Sequence, residues 1–208
     1  MLTGLVGLCI SVVLFGVFIV YAVRDLGLEA AEIGVIFGLG NIGALVGALT
    51  ANRVAARLGV GNTIVLSMFI NAPGMLLIAL APPAFPVPFL IASGFVVGLS
   101  AVVYNINQVS FRQAITPTAM QGRMNATMRF IVWGTIPIGS LVGGAIATVS
   151  NVSVSIWVGA LGSFLAVVPL LISPVRSLRE MPTPVGDGSP VERPGDELPP
   201  TSPVDPPG

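Results

Sequence analysis

Ile33-Gly34-Val35-Ile36-Phe37-Gly38-Leu39-Gly40-Asn41-Ile42-Gly43-Ala44-Leu45-Val46-Gly47-Ala48-Leu49-Thr50-Ala51-Asn52 is the stretch whose reading decides the fold. It carries no charge, it is bounded by Glu32 and Arg53, and only Asn41, Thr50 and Asn52 interrupt its apolar and glycine residues. At about 1.5 Å per residue a helix of this length covers roughly 30 Å, the thickness of the hydrocarbon core of a bilayer. Outward from it lie five stretches of similar character: Leu2–Val23, Thr63–Ala81, Phe85–Tyr104, Met124–Val149 and Ser153–Ser173. Hydrophobic residues make up 54% of the chain and charged residues 9%, with a mean hydropathy of +0.94. One soluble core of this size cannot hide so much apolar surface. The expectation is an all-α, polytopic bundle of six transmembrane helices over residues 1–173, with the lipid bilayer as its first partner. The first span has no basic residue before it and is too long for the apolar region of a cleaved signal, so it reads as retained. A span that starts at Met1 without a lead-in loop is expected of a fragment or of part of a longer protein.

Orientation follows from arginine, because the chain has no lysine. Arg53 and Arg57 follow the second span, Arg112 and Arg123 flank the loop after the fourth, and Arg176 and Arg179 follow the sixth. The loop after the first span pairs Arg24 with Asp25, Glu29 and Glu32, and the loops after the third and fifth carry no charge. Arginine-bearing loops stay in the cytoplasm. The expectation is therefore a multi-pass protein of the cell membrane (a bacterial inner or plasma membrane) with both termini cytoplasmic. A net charge of zero leaves no footprint for nucleic acid. Cys9 is the sole cysteine and histidine is absent, which removes disulfides and the commonest metal ligands. No cofactor is expected. Residues 174–208 change character to Pro, Ser, Thr, Asp and Glu and read as a disordered cytoplasmic tail.

Small residues recur four apart within the spans: Gly34, Gly38, Gly43 and Gly47 in the second, Gly94 and Gly98 in the fourth, Gly139 and Gly143 in the fifth. That spacing lets helix backbones approach closely in lipid, where no hydrophobic force drives helices together. Pro73, Pro137 and Pro169 sit inside spans; Pro73 and Pro137 are the expected kinks.

Polar groups at membrane depth are costly and tend to face an interior cavity. Asn41 lies near the middle of the second span and Asn71 in the third, two residues before Pro73. Asn105, Asn107 and Gln108 continue the fourth span toward the cytoplasm, behind Tyr104. Asn125, Arg129 and Trp133 form a stripe at four-residue spacing on the fifth, and Pro137 extends it. Asn41, Asn107, Asn125, Arg129 and Trp133 are the candidates to line a substrate cavity. Arg129 reads equally as a snorkelling or paired side chain, Asn71 as the group that satisfies the Pro73 kink, and Trp133 as helix packing. Arg53, Arg57, Arg112 and Arg123 are candidates for the cytoplasmic loops and their gating. Between the fourth and fifth spans, Thr116-Pro117 offers a cap and first turn and Gly122 a stop, which predicts a short interfacial helix.

The string Asn105-Ile106-Asn107-Gln108-Val109-Ser110-Phe111-Arg112-Gln113-Ala114-Ile115-Thr116-Pro117, followed by Gln121-Gly122-Arg123-Met124-Asn125-Ala126-Thr127-Met128-Arg129-Phe130, resembles the loop between the tenth and eleventh helices of major facilitator superfamily exporters. It is most similar to the branch that holds enterobactin exporters and macrolide efflux proteins. Gly47 to Gly59 resembles the degenerate second copy of the superfamily's G-x-x-x-D-R-x-G-R signature, with Ala51 where the acid would stand. The resemblance covers residues 1–173 and implies the carboxy-terminal six-helix half of a twelve-helix fold. It further implies export of amphiphilic small molecules such as drugs or siderophores, by a truncated or half-length chain. Substrate sites in such transporters lie where the two halves meet, so the implied partners are a small-molecule substrate and an amino-terminal half, on the same or a separate chain, or a second copy. Two other classes compete: a non-transporting accessory or assembly subunit, and an integral membrane enzyme acting on lipids. The enzyme needs clustered carboxylates or histidines at the membrane face, and Asp25, Glu29, Glu32 and Glu180 form no paired motif. A non-enzyme is expected.

Overall fold

The computed structural model describes residues 17–172. Most of the first span, Cys9, Arg176, Arg179 and the Pro-rich tail lie outside the described residues. Seven helices follow in order: α1 (Phe18–Arg24), α2 (Ala30–Gly40), α3 (Ile42–Leu58), α4 (Val60–Ala79), α5 (Pro86–Ile115), α6 (Thr118–Val149) and α7 (Val152–Ile172). The protein is an all-α membrane helix bundle, without a strand among the described residues. Four described segments are long and apolar enough to cross a membrane: Ala30–Leu58, Val60–Ala79, Pro86–Ile115 and Ala119–Val149; α7 adds a further apolar helix.

α2 and α3 form one span with a single-residue break. The Asn41 side-chain Nδ2 donates to the Phe37 carbonyl at 2.7 Å, the same oxygen that its backbone N–H reaches at 3.1 Å. A short amide that competes for the helical carbonyl loosens the ladder at that point. The span starts where the Glu29 N–H donates to Glu32 Oε2 at 2.9 Å, and two carboxylates at a helix N-terminus also suit its dipole. It ends at Gly59, whose φ of 81° and ψ of 153° turn the chain into α4 within one residue. Only glycine adopts that conformation without strain. α5 opens on Pro86, where a missing N–H costs nothing.

Close backbone contact joins α2 and α3 to α5. A β-carbon on Gly40 would lie 3.1 Å from the Gly94 Cα, one on Gly47 2.7 Å from the Leu99 carbonyl oxygen, and one on Gly98 3.1 Å from the Ala44 nitrogen. One on Gly43 would overlap the Phe95 carbonyl. The paired numbers rise together, so the two spans run parallel. Gly34 and Gly38, expected in the same stripe, have nothing within 4 Å of a β-carbon among the described residues; Gly40 takes part instead. α4 runs antiparallel to α5, with Ser93 Oγ donating to the Gly74 carbonyl at 2.7 Å and Asn71 Nδ2 to Ser100 Oγ at 3.0 Å. Gly139 and Gly143 are buried, and Ser155 Oγ on α7 donates to the Gly143 carbonyl at 2.9 Å. Pro73 and Pro137 stand on exposed faces inside unbroken helices.

This arrangement sorts the described charges. Asp25, Glu29 and Glu32, together with Arg24, sit at the junction of α1 and α2, at one end of the bundle. Arg53, Arg57, Arg112 and Arg123 sit at the other, where α3 and α5 end and α6 begins. The main core, with Phe18, Tyr21, Ile36, Met75, Leu90 and Ile156, is packed toward the acidic end.

The expected interfacial helix does not form. α6 runs unbroken from Thr118 to Val149, and Gly122 lies within its first turns. Gly122 has no positive φ, the conformation that a glycine stop requires. A helical glycine costs only about 1 kcal/mol relative to alanine, and Ala119, Met120, Gln121, Met124 and Ala126 around it are good helix formers. Thr116 Oγ1 is a hydrogen-bonding neighbour of Met124 Sδ at 3.0 Å and caps nothing. The corner is closed by Gln121, whose Nε2 donates to the carbonyls of Gln113 and Thr116 at 3.1 and 3.2 Å. Those carbonyls belong to the last turn of α5 and to Thr116, its C-cap residue, where helical partners run out.

Candidate functional site

α6 makes its main packing against α7 and stands off from α4 and α5 in its arginine-end half. The result is a cleft of about 490 Å³ between α4, α5 and α6, within the roughly 300–1,000 Å³ of small-molecule sites. α4 contributes Ser67, Met68 and Asn71. α5 contributes two adjacent rows, Ser100, Tyr104, Gln108 and Arg112, and Ala101, Asn105 and Val109. Each row advances by four residues, the spacing that keeps side chains on one helix face. α6 contributes Asn125, Met128, Arg129, Val132 and Trp133. Ser100 lies midway along α5, so the cleft reaches from the arginine end to the middle of the bundle, about 18 Å over the twelve residues to Arg112.

The floor of the cleft is rigid and satisfied. Asn71 and Ser100 are buried and bonded to each other, and Ser100 Oγ also donates to the Val97 carbonyl at 3.0 Å. Asn71 thus ties α4 to α5 and does not serve the Pro73 kink. Met68 and Ala72 pack with Tyr104 beneath the opening. The outer wall is different: Trp133 is 66% exposed and Arg129 is exposed beside it. Arg112 is half-buried, and its Nε is buried with no hydrogen-bond partner among the described residues.

Asn125, Arg129 and Trp133, expected on one stripe, all line this cleft. Asn107 does not. It is 2% exposed, on another face of α5, and its Nδ2 donates back to the Val103 carbonyl at 2.8 Å. Asn41 borders a separate apolar cavity of about 190 Å³ near Phe18, Phe37 and Leu90. Arg112, read as a loop residue, belongs to the cleft wall, whereas Arg53, Arg57 and Arg123 are exposed away from it. Arg53 Nη1 donates to the Leu49 carbonyl at 3.2 Å. Ala51, where the superfamily signature carries an acid, is fully buried. The sequence reading passed over Ser67, Ser100 and Met128. The signal for Ser100 was its four-residue register with Tyr104, Gln108 and Arg112.

The cleft offers amide, hydroxyl and guanidinium groups above thioether and aromatic ones, and among the described residues it pairs no nucleophile with a base. Among curated proteins nothing matches the chain. The family model described as Major Facilitator Superfamily matches residues 1–203. The chain belongs to the Major Facilitator Superfamily, a family of membrane transporters.

Proposed function

We propose that this chain forms one half of an exporter of amphiphilic small molecules, with the cleft between α4, α5 and α6 as its wall of the substrate path. The observation that carries this reading is the cleft itself: polar groups and Trp133 run from the arginine end to mid-depth of an otherwise apolar bundle. Polar groups at that depth are retained where they face a water-filled cavity or a ligand. The likeness of residues 105–130 to exporter sequences supports the direction of transport. Alternating access in this superfamily comes from two six-helix halves that rock about a site between them. The partner is therefore an amino-terminal half, on the same or a separate chain, or a second copy of this one. In an exporter-deficient host, the chain alone is expected to give no export, and co-expression with a complementary amino-terminal half to restore it. Substrate-dependent efflux from liposomes holding a single copy of this chain alone would overturn the two-half reading.

The proposed setting is the cell membrane, with both termini in the cytoplasm, because the arginine end of the bundle should face the positive-inside compartment. The cleft then opens toward the cytoplasm, where an exporter loads. Pro83, between α4 and α5, lies at the opposite end. With Cys9 replaced, a cysteine placed by Pro83→Cys is expected to react with an impermeant thiol reagent from outside intact cells. Reaction only after the cytoplasm is opened would invert the orientation.

A further inference from the structure

We propose that the cleft is an anion site: it takes an amphiphile with a carboxylate, phosphate or sulfonate headgroup held by Arg112 and Arg129. This rests on the reading of the cleft as a substrate surface and adds the class of substrate. Two guanidinium groups line the cleft, and among the described residues no carboxylate does. The described acids, Asp25, Glu29 and Glu32, lie at the other end of the bundle.

A charge at membrane depth that is not matched by an acid is costly. Arg129 is exposed on the α6 wall of the cleft. Arg112 is half-buried, and its Nε is buried with no hydrogen-bond partner among the described residues. A planar guanidinium is built to donate two parallel hydrogen bonds to a carboxylate or phosphate. The neighbours reinforce that sign. Asn125, Gln108 and Asn105 present amide donors to the same cleft. Met68, Met128 and Trp133 provide the apolar surface for the rest of the ligand. Trp133 also offers a π face to a cation, but a cationic ligand there would meet two positive charges with no counter-charge among the described lining residues.

The headgroup chemistry is shared by soluble amphiphiles and anionic lipids, and the test separates them. The full chain is placed in phosphatidylcholine nanodiscs, with Trp157→Phe leaving Trp133 as the only tryptophan. Energy transfer from Trp133 to a dansyl group is followed for two probes with the same undecyl body, one ending in carboxylate and one in trimethylammonium. The carboxylate probe is expected to half-saturate at a concentration about tenfold or more below that of the ammonium probe. Arg129→Gln and Arg112→Gln are each expected to raise that concentration about tenfold, as loss of a charge-assisted hydrogen bond does. Equal binding of both probes, or Gln variants that bind the carboxylate as before, would overturn the proposal. If Arg112→Gln fails to yield monodisperse protein, Arg129→Gln decides alone. Phosphatidylglycerol in the discs that displaces the carboxylate probe identifies a lipid headgroup as the occupant; no displacement identifies a soluble amphiphile. Either result upholds the anion site. Anion selectivity without export in the two-half assay would sink the transport reading and leave this one standing, and export without anion selectivity would do the reverse.

Discussion

Gly43→Ala is expected to destroy the folded bundle, while Gly34→Ala leaves it intact. The two glycines lie on one span, nine residues apart, and differ only in what a β-carbon would meet. At Gly43 it would overlap the Phe95 carbonyl; at Gly34 it would find nothing within 4 Å among the described residues. Backbone cannot rotate aside as a side chain can, so α3 and α5 must separate along their shared face. That separation also breaks the Gly40–Gly94 and Gly47–Leu99 approaches. Overpacking typically costs 1–3 kcal/mol, and in lipid close packing is itself the main force that holds helices together. A loss of about 3 kcal/mol is expected for Gly43→Ala, seen as aggregation on size exclusion or a collapse of Tm. For Gly34→Ala the change should stay within about 0.5 kcal/mol.

Arg129→Ala and Trp133→Ala should each cut export by about tenfold or more, with membrane abundance unchanged. Arg129 and Trp133 are both exposed, so neither truncation opens a hole in the core. A hydrogen bond to a charged group contributes about 1.5–3 kcal/mol, roughly one to two decades in binding. Trp133 offers a large rigid face to an amphiphile and loses it entirely on truncation to alanine. Arg129→Lys keeps the charge and loses the planar fork, so an intermediate value is expected.

Much of this architecture was legible from apolar runs alone, because a helix that crosses lipid must be long and nearly uncharged. The ends of those runs were less legible. The apolar run of the fourth span ends at Tyr104, with Asn105, Asn107 and Gln108 expected to continue it toward the cytoplasm; how far was not legible, and α5 runs on to Ile115. Those residues mark a polar face of a continuing helix, not its end. Asn105 and Asn107 are the same residue type two positions apart, yet about 200° apart around the helix. One lines the cleft and the other is buried against the bundle. Only the phase against Tyr104 and Arg112 distinguishes them. The stripe of Asn125, Arg129 and Trp133 was readable because its phase is internal to one helix. Arg112 was not readable as a cleft residue, since its place depends on how far α6 stands from α5. Asn71 was misleading beside Pro73, because a hydrogen bond to Ser100, 29 residues away, leaves no local trace.

The central claim is that this cleft is a substrate surface and not merely a gap between helices. The most direct measurement is export per molecule: efflux from cells carrying the chain with a complementary amino-terminal half, divided by the amount of each variant in the membrane. For Arg129→Ala and Trp133→Ala the account predicts a ratio about a tenth of the unmodified protein's or lower, at equal abundance. Reduced abundance with an unchanged ratio, or no change in either quantity, would contradict it.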